Sequence, residues 1–273
     1  MLTTVVIPTH NRRTMVREAI DSVLNQQGAD YELLVVDDGS ADGTAMELQR
    51  DYGDRLHLLR TENRGVSAAR NLGVLAGSGD CIAFLDSDDL WLPGKLAAQI
   101  DFLRMNPSAS ICQVEELWYR DGRRVNPCRH HRKPDGAIFE RSLDLCLVSP
   151  SAVVMRRGLF ERMGGFDESL PACEDYDLWL RIGVETQVHL LPQPLVIKRG
   201  GHADQLSRRF WGMDRFRVAS ISRLIEAGRL DAPRRSAAAA VLKRKCDILA
   251  KGAARRRRQD EAMRYMQLAA LYG

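Results

Sequence analysis

The apolar run Cys81-Ile-Ala-Phe-Leu85 stops at three carboxylates, Asp86, Asp88 and Asp89, within four positions. If the backbone stays extended through Ser87, Asp86 and Asp88 point to one side, and their mutual repulsion favours a cation between them. Hard oxygen ligands of this kind suit Mn2+ or Mg2+, which keep positions open for waters and substrate phosphates. The competing reading is a solvated turn in which Asp89 caps the next helix. A second acidic pair, Glu174 and Asp175, precedes the helical apolar face of Leu178, Trp179 and Ile182. At a helix N-terminus backbone N–H groups favour ionised carboxylates, and an ionised, partly shielded carboxylate can accept a proton from a hydroxyl. The plainer reading is a first-turn acid that only complements the helix dipole. Cys128 with His130 and His131 could ligate zinc, but a second ligand pair at metal spacing is missing.

These groups need a scaffold, and the chain supplies an alternating one. Thr3–Ile7 reads as a buried strand stopped by the loop Pro8-Thr-His-Asn-Arg12, followed by a helix with apolar residues at 15, 16, 19, 20, 23 and 24. Tyr31–Val36 is a second strand ending at Asp37-Asp-Gly-Ser40, and residues 41–52 form a second helix. Leu56–Leu59 is a third strand, and Asn63–Gly73 a loop and helix carrying Arg70, placed to reach a phosphate. Strand, loop, helix repeated in this way implies parallel strands with right-handed crossovers. In such sheets ligands bind beyond the carboxyl ends of the strands, where residues 8–12, 37–40 and 86–89 converge. Residues 93–110 read as helix, 111–119 as strand, 121–136 as a surface loop, 151–155 as strand and 158–163 as a short helix.

No G-x-G-x-x-G opens a helix after the first strand, and Gly94-Lys95 lacks the Ser or Thr of a phosphate-gripping loop. A diphosphate must then be held by metal rather than by a glycine cradle. Over 273 residues the formal charge is +4, but it is graded. Residues 1–110 carry 10 basic and 16 acidic side chains, residues 111–200 carry 13 of each, and residues 201–273 carry 17 and 7. The basic C-terminal end suits an anionic partner. The six cysteines lack C-x-x-C spacing, which fits reduced thiols. With no leader and no apolar run of membrane-span length, the expected location is cytoplasmic.

The order of motifs resembles the inverting family-2 glycosyltransferases of GT-A fold. It is carried by Ile7-Pro-Thr-His-Asn-Arg12, Val35-Val-Asp-Asp-Gly-Ser40, Asn63–Asn71, Phe84-Leu-Asp-Ser-Asp-Asp89, Gly164-Gly-Phe-Asp167 and Glu174-Asp-Tyr-Asp-Leu-Trp179. The resemblance covers roughly residues 3 to 207 and implies an α/β GT-A catalytic domain over 1–207, its nucleotide-sugar half about 1–110 and its acceptor half about 111–207. It implies that Asp38 bonds the base of a nucleotide-sugar, with Pro8, Thr9 and His10 lining the pocket and Asn63 and Arg70 completing it. Asp86 would contact ribose or sugar, Asp88 the Mn2+ or Mg2+, and Asp175 would be the general base beside Glu174, which positions acceptor or sugar. His202 would complete the metal or diphosphate site, with Ser207 in the same loop. Position 10 commonly holds tyrosine in the family and is histidine here, which leaves its preference for a donor base less defined.

The resemblance further implies a donor that is a UDP-sugar and an acceptor that is a glycan or lipid-linked hydroxyl. Residues 208–273 read as a basic helical extension of three helices, 210–227, 234–250 and 255–271, the last two joined near Gly252. Such helices could pack on the catalytic domain or lie peripherally on a membrane surface, and the plainer reading is a solvated basic face. Nucleic acid is not expected as a partner, because the tail has few aromatics for stacking. Two rivals stand beside the transferase reading: a nucleotidyltransferase of similar fold, and a non-catalytic nucleotide-sugar-binding protein that uses its tail to recruit a partner.

Overall fold

The computed structural model describes residues 1–201 and 210–272. Its organising element is one mixed sheet of nine strands, in the spatial order β3-β2-β1-β4-β8-β6-β9-β5 with β7 beside β6. The parallel half is built first: β1 (Thr3–Thr9), β2 (Tyr31–Asp38), β3 (His57–Thr61) and β4 (Cys81–Phe84). They alternate with α1 (Arg13–Leu24), α2 (Thr44–Tyr52) and α3 (Val66–Ala76). β1 pairs in parallel with both β2 and β4, so the loops after all of these strands open at one edge.

Side-chain alternation explains why these strands read as continuous apolar runs. Val5 and Ile7 enter one core with Val16, Ile20 and Val23 of α1, while Val6 enters a second core with Ala69 and Val74 of α3. Cys81, Ala83 and Leu85 face the first core, Ile82 and Phe84 the second. A strand covered on both faces has no polar side to show. α3 lies so close to β1 that a Cβ on Gly73 would stand 2.4 Å from Val6 Cγ1.

The rest of the sheet is not parallel. β5 (Leu90–Trp91) pairs antiparallel with β9 (His189–Gly200), and β6 (Ile111–Arg120) runs parallel to β9 and antiparallel to β8 (Val153–Arg156) and β7 (Arg123–Val125). The sequence gives no sign of β9, because Pro192 and Pro194 break its pattern. The register slips between Val114 and Glu116 opposite that stretch, as prolines in a ladder require. Helices α4 (Lys95–Met105), α5 (Phe139–Ser142), α6 (Arg157–Arg162) and α7 (Glu174–Glu185) complete the body. At the start of α4, Lys95 is fully buried, its Nζ 3.8 Å from the Trp91 ring centroid and donating to the Val153 carbonyl at 3.1 Å.

Among the described residues three C-terminal helices follow: α8 (Asp214–Glu226), α9 (Ala232–Arg255) and α10 (Gln259–Leu271). The Asp231 carboxylate accepts from Arg234 N–H at 2.8 Å and caps α9, with Pro233 in the first turn. α9 runs through Gly252, and the break from α10 falls at Arg256–Arg258 instead. Val218, Ile221, Leu242 and Cys246 share a core with Phe139, Leu143, Tyr176 and Leu180, so these helices pack on α5 and α7. Among the described residues no helix is long and apolar enough to cross a membrane.

Candidate active site

At the carboxyl edge of the parallel strands lies an open cavity of about 1140 Å3. Pro8, Thr9, His10, Asp38, Asn63, Arg70, Asp86, Asp88, Glu174 and Asp175 all line it. Thus residues from the ends of β1, β2 and β4 and from the first turns of α3 and α7 meet in one place. His202 and Ser207 lie outside the described residues.

One wall is built on Asp38. Its two carboxylate oxygens accept the backbone N–H groups of Arg64 and Gly65, each at 2.8 Å, which ties the end of β2 to the loop before α3. Gly39 beside it has φ +75°, and a Cβ there would stand 2.8 Å from Asn63 N. His10 donates from Nδ1 to the Asp38 carbonyl at 2.7 Å. That leaves Nε2 to accept from the side-chain amides of Asn11 and Asn63, at 3.0 and 3.1 Å. The imidazole is therefore held in one tautomer and orientation.

The floor is acidic. The carboxylates of Asp86, Asp88 and Asp89 each bring an oxygen within 4.8 Å of the others. Asp89 is the inner member: it accepts from Ser151 Oγ at 2.7 Å and Arg199 N–H at 2.9 Å, and burial, then the charge of Asp88, pushes its pKa well up. Asp88 is paired with Arg12 at 2.9 Å, and its carbonyl accepts from Arg199 Nε. Asp86 keeps 27% of its side chain exposed and takes one guanidinium nitrogen of Arg70 at 2.6 Å.

Arg70 occupies a different position from a phosphate-reaching arginine on an open helix face. It is 3% exposed, its guanidinium 5.0 Å from the Phe166 ring centroid, and it spans Asp86 and Glu174, the latter at 2.8 Å. Burial alone would lower its pKa, but the two carboxylates raise it, so the charge is fixed. Glu174 is raised by burial and by Asp175, with Arg70 opposing. The bridge locks the start of α7 to the end of β4, and thereby sets where Asp175 stands.

Asp175 is half-buried. One oxygen accepts from Tyr176 N–H at 2.6 Å and the other from the Cys146 thiol at 3.4 Å. Burial, then the charge of Asp175, pushes the Cys146 pKa well up, so the sulfur keeps its proton. Residue 173, just before α7, is a cysteine at φ +62°, a left-handed turn that aims the helix N-terminus into the cavity.

Several lining groups had no sequence signal. Lys198 and Arg199 come from β9, the strand hidden by its prolines, and Cys146 and Arg217 from segments without a motif. Lys198 donates to Ser149 Oγ at 3.2 Å. Burial lowers its pKa, but Glu116, Asp89, Asp86 and Asp175 more than restore it, so it stays charged. The cavity therefore combines a cluster of hard oxygen donors, fixed cations and a carboxylate open to solvent. That set suits a metal-bound phosphorylated substrate and a proton to be removed.

Comparison with known proteins identifies the family and the fold. The model of Glycosyl transferase family 2 matches residues 4–164, and that of a Glycosyltransferase like family 2 matches residues 129–225. The chain belongs to glycosyltransferase family 2. An Escherichia coli relative, UDP-Glc:alpha-D-GlcNAc-diphosphoundecaprenol beta-1,3-glucosyltransferase WfgD, is 32% identical over 185 residues, covering 66% of this chain and 69% of that one. An uncharacterized glycosyltransferase of Rickettsia bellii is 30% identical over 218 residues, 76% of this chain, and the chain spans only about a third of that protein's length (31%). Staphylococcus aureus TarS 1-349, solved in complex with UDP-GlcNAc, superposes with a TM-score of 0.67 at 17% identity, over 98% of this chain and 91% of that one. That likeness establishes the GT-A fold, and the family match displaces the nucleotidyltransferase alternative.

Proposed function

We propose that this chain is an inverting, divalent-metal-dependent glycosyltransferase that moves a sugar from a UDP-sugar to a hydroxyl of a glycan or lipid-linked acceptor. The observation that carries the reading is the sharing of one cavity by Asp38, the Asp86–Asp88–Asp89 cluster and Asp175. The UDP donor and the glycan or lipid-linked acceptor rest on the relatives, WfgD by its name and TarS by its UDP-GlcNAc complex.

Each residue then has a task. Asp38 keeps lone pairs beyond the two backbone bonds it accepts and can take a base N–H, while the oriented His10 ring flanks the base. Pro8, Thr9 and Asn63 shape the same wall. Asp86 faces the ribose or sugar, held by Arg70, and Glu174 positions the sugar or acceptor from the other end of that bridge. Asp175 takes the proton of the acceptor hydroxyl. The freed oxygen attacks the anomeric carbon from the face opposite the diphosphate, the bond to the diphosphate oxygen breaks, and the configuration inverts. Arg12, Lys198 and Arg199 stabilise the negative charge that gathers on the leaving diphosphate.

The donor set fits a hard cation: Asp86 and Asp88 keep 27% and 14% of their side chains exposed, and Asp89 lies buried behind them. Mn2+ or Mg2+ held by Asp88 and Asp86 would supply positive charge for the departing diphosphate. His202 is proposed to join it, and Ser207 to lie with the substrate. Residues 1–207 are the catalytic unit in this reading, and the basic helices of 208–273 rest on an anionic membrane surface that presents the acceptor. A panel of nucleotide-sugars scored by thermal shift, with and without Mn2+, tests the donor assignment. A UDP-sugar should raise the melting temperature more with Mn2+ than without it, and no response to any donor would defeat the reading. Binding without transfer to any hydroxyl acceptor would leave the non-catalytic alternative instead.

A further inference from the structure

Away from the cavity, Cys128, His130 and His131 bring one sulfur and two imidazole nitrogens within 4.8 Å of one another. A 3-10 turn over Arg129–His131 does this, closed by His131 N–H on the Cys128 carbonyl at 2.9 Å and Arg132 N–H on the Arg129 carbonyl at 3.2 Å. Such a turn repeats every three residues, so positions 128 and 131 stand one above the other. The two imidazole rings are 4.1 Å apart, centroid to centroid, and the Trp118 ring backs His131 at 5.3 Å. Tetrahedral zinc bonds sulfur at about 2.3 Å and nitrogen at about 2.0–2.1 Å, which sets ligand atoms about 3.3–3.6 Å apart. Closing the cluster onto an ion thus takes about an ångström of movement, which the exposed Cys128 and His130 can supply.

A second observation points to a ligand. Nδ1 of His131 is buried and makes no hydrogen bond, an expensive arrangement for an imidazole nitrogen.

We propose that Cys128, His130 and His131 form a zinc site with an open fourth position, distinct in place and in chemistry from the acidic cluster. A thiolate and two imidazoles select zinc over Mn2+ and Mg2+, whereas an all-carboxylate set does the reverse. The ion would staple the arginine-rich loop between β7 and α5. That loop is otherwise anchored at its far end, where Lys133 meets Glu116 at 3.2 Å and Gln113 donates to the Pro134 carbonyl at 2.9 Å. Glu116 is in turn held ionised, down to about 2, because Lys133 and Lys198 outweigh its burial, so the loop's anchor abuts a lysine of the cavity wall.

The test uses the untagged full chain in excess Mg2+, added to compete at the acidic cluster. Co2+ added as a zinc surrogate should give a sulfur-to-metal charge-transfer band together with tetrahedral d–d absorption, and Zn2+ should abolish both stoichiometrically. Cys128→Ser should lose the charge-transfer band, while Asp88→Asn should keep it. Trypsin cleavage after Arg129 and Arg132 should slow at least about tenfold with Zn2+ in the parent chain and not in Cys128→Ser. The proposal is overturned if no sulfur band forms, if Cys128→Ser retains it, or if zinc leaves cleavage in this loop unchanged. It does not depend on the transferase reading.

Discussion

Replacing Arg70 with leucine probes the bridge that fixes the start of α7. In the folded chain its guanidinium is 3% exposed and neutralises Glu174, itself 4% exposed, while also bonding the more open Asp86. Removing one partner of a buried ion pair leaves an uncompensated charge and costs about 3–5 kcal/mol. Nearly all of that should come from Glu174, because Asp86 can draw on solvent. For a chain of this size the loss corresponds to a fall in melting temperature of roughly 6–20 °C. The deficit should also depend on pH in a defined direction. Glu174 has a folded pKa above its unfolded value, through burial and then Asp175, and losing Arg70 raises it further. Its contribution is fully present below about pH 4.3 and is lost as the pH rises through the folded value. Arg70→Leu should therefore be closer to the parent at pH 5 than at pH 8. Urea unfolding at both pH values measures this, and Arg70→Leu with Glu174→Gln should recover about half or more of the loss. A deficit below about 1 kcal/mol, equal at both pH values, would refute the buried bridge.

Three further outcomes follow from the packing and the site. Gly73→Ala should cost about 1–3 kcal/mol in urea unfolding, because its Cβ would meet Val6 at 2.4 Å. Lys95→Met should raise stability at pH 7 by about 1 kcal/mol. Burial holds the folded lysine's pKa well below its ordinary value, so the parent gains stability as pH rises from 7 to 9 and the variant should lose that slope. Asp88→Asn should raise the Mn2+ concentration for half-maximal transfer by about tenfold or more, measured in a metal titration of activity.

How much of this was readable beforehand depended on whether a local pattern carried it. β1 to β4 were legible because both faces are buried and each run is bounded by polar turn residues, so their loops could be expected to converge. The placing of Asp38, Asp86, Asp88, Glu174 and Asp175 in one cavity followed from that topology and from motif order. β9 was illegible because Pro192 and Pro194 erase a strand pattern, and Lys198 and Arg199 were hidden with it. β5 was missed because Asp89 before Leu90-Trp91 looks like a helix cap, whereas that carboxylate turns inward to Ser151 and the backbone of Arg199. Arg70 looked like a phosphate ligand from its helix position alone. Its burial between two carboxylates depends on Glu174, 104 residues away, and no local pattern encodes such a partner. The helix break expected at Gly252 fell later because one glycine inside a long helix costs only about 1 kcal/mol.

The claim on which the functional account rests is that Asp175 removes the acceptor proton. Asp175→Asn keeps the side-chain shape and the Tyr176 N–H contact while removing the base, and it should be assayed for both donor binding and transfer. The account predicts a donor affinity within about twofold of the parent and a kcat lower by about 10²–10⁴. A variant that transfers sugar within tenfold of the parent rate would contradict it.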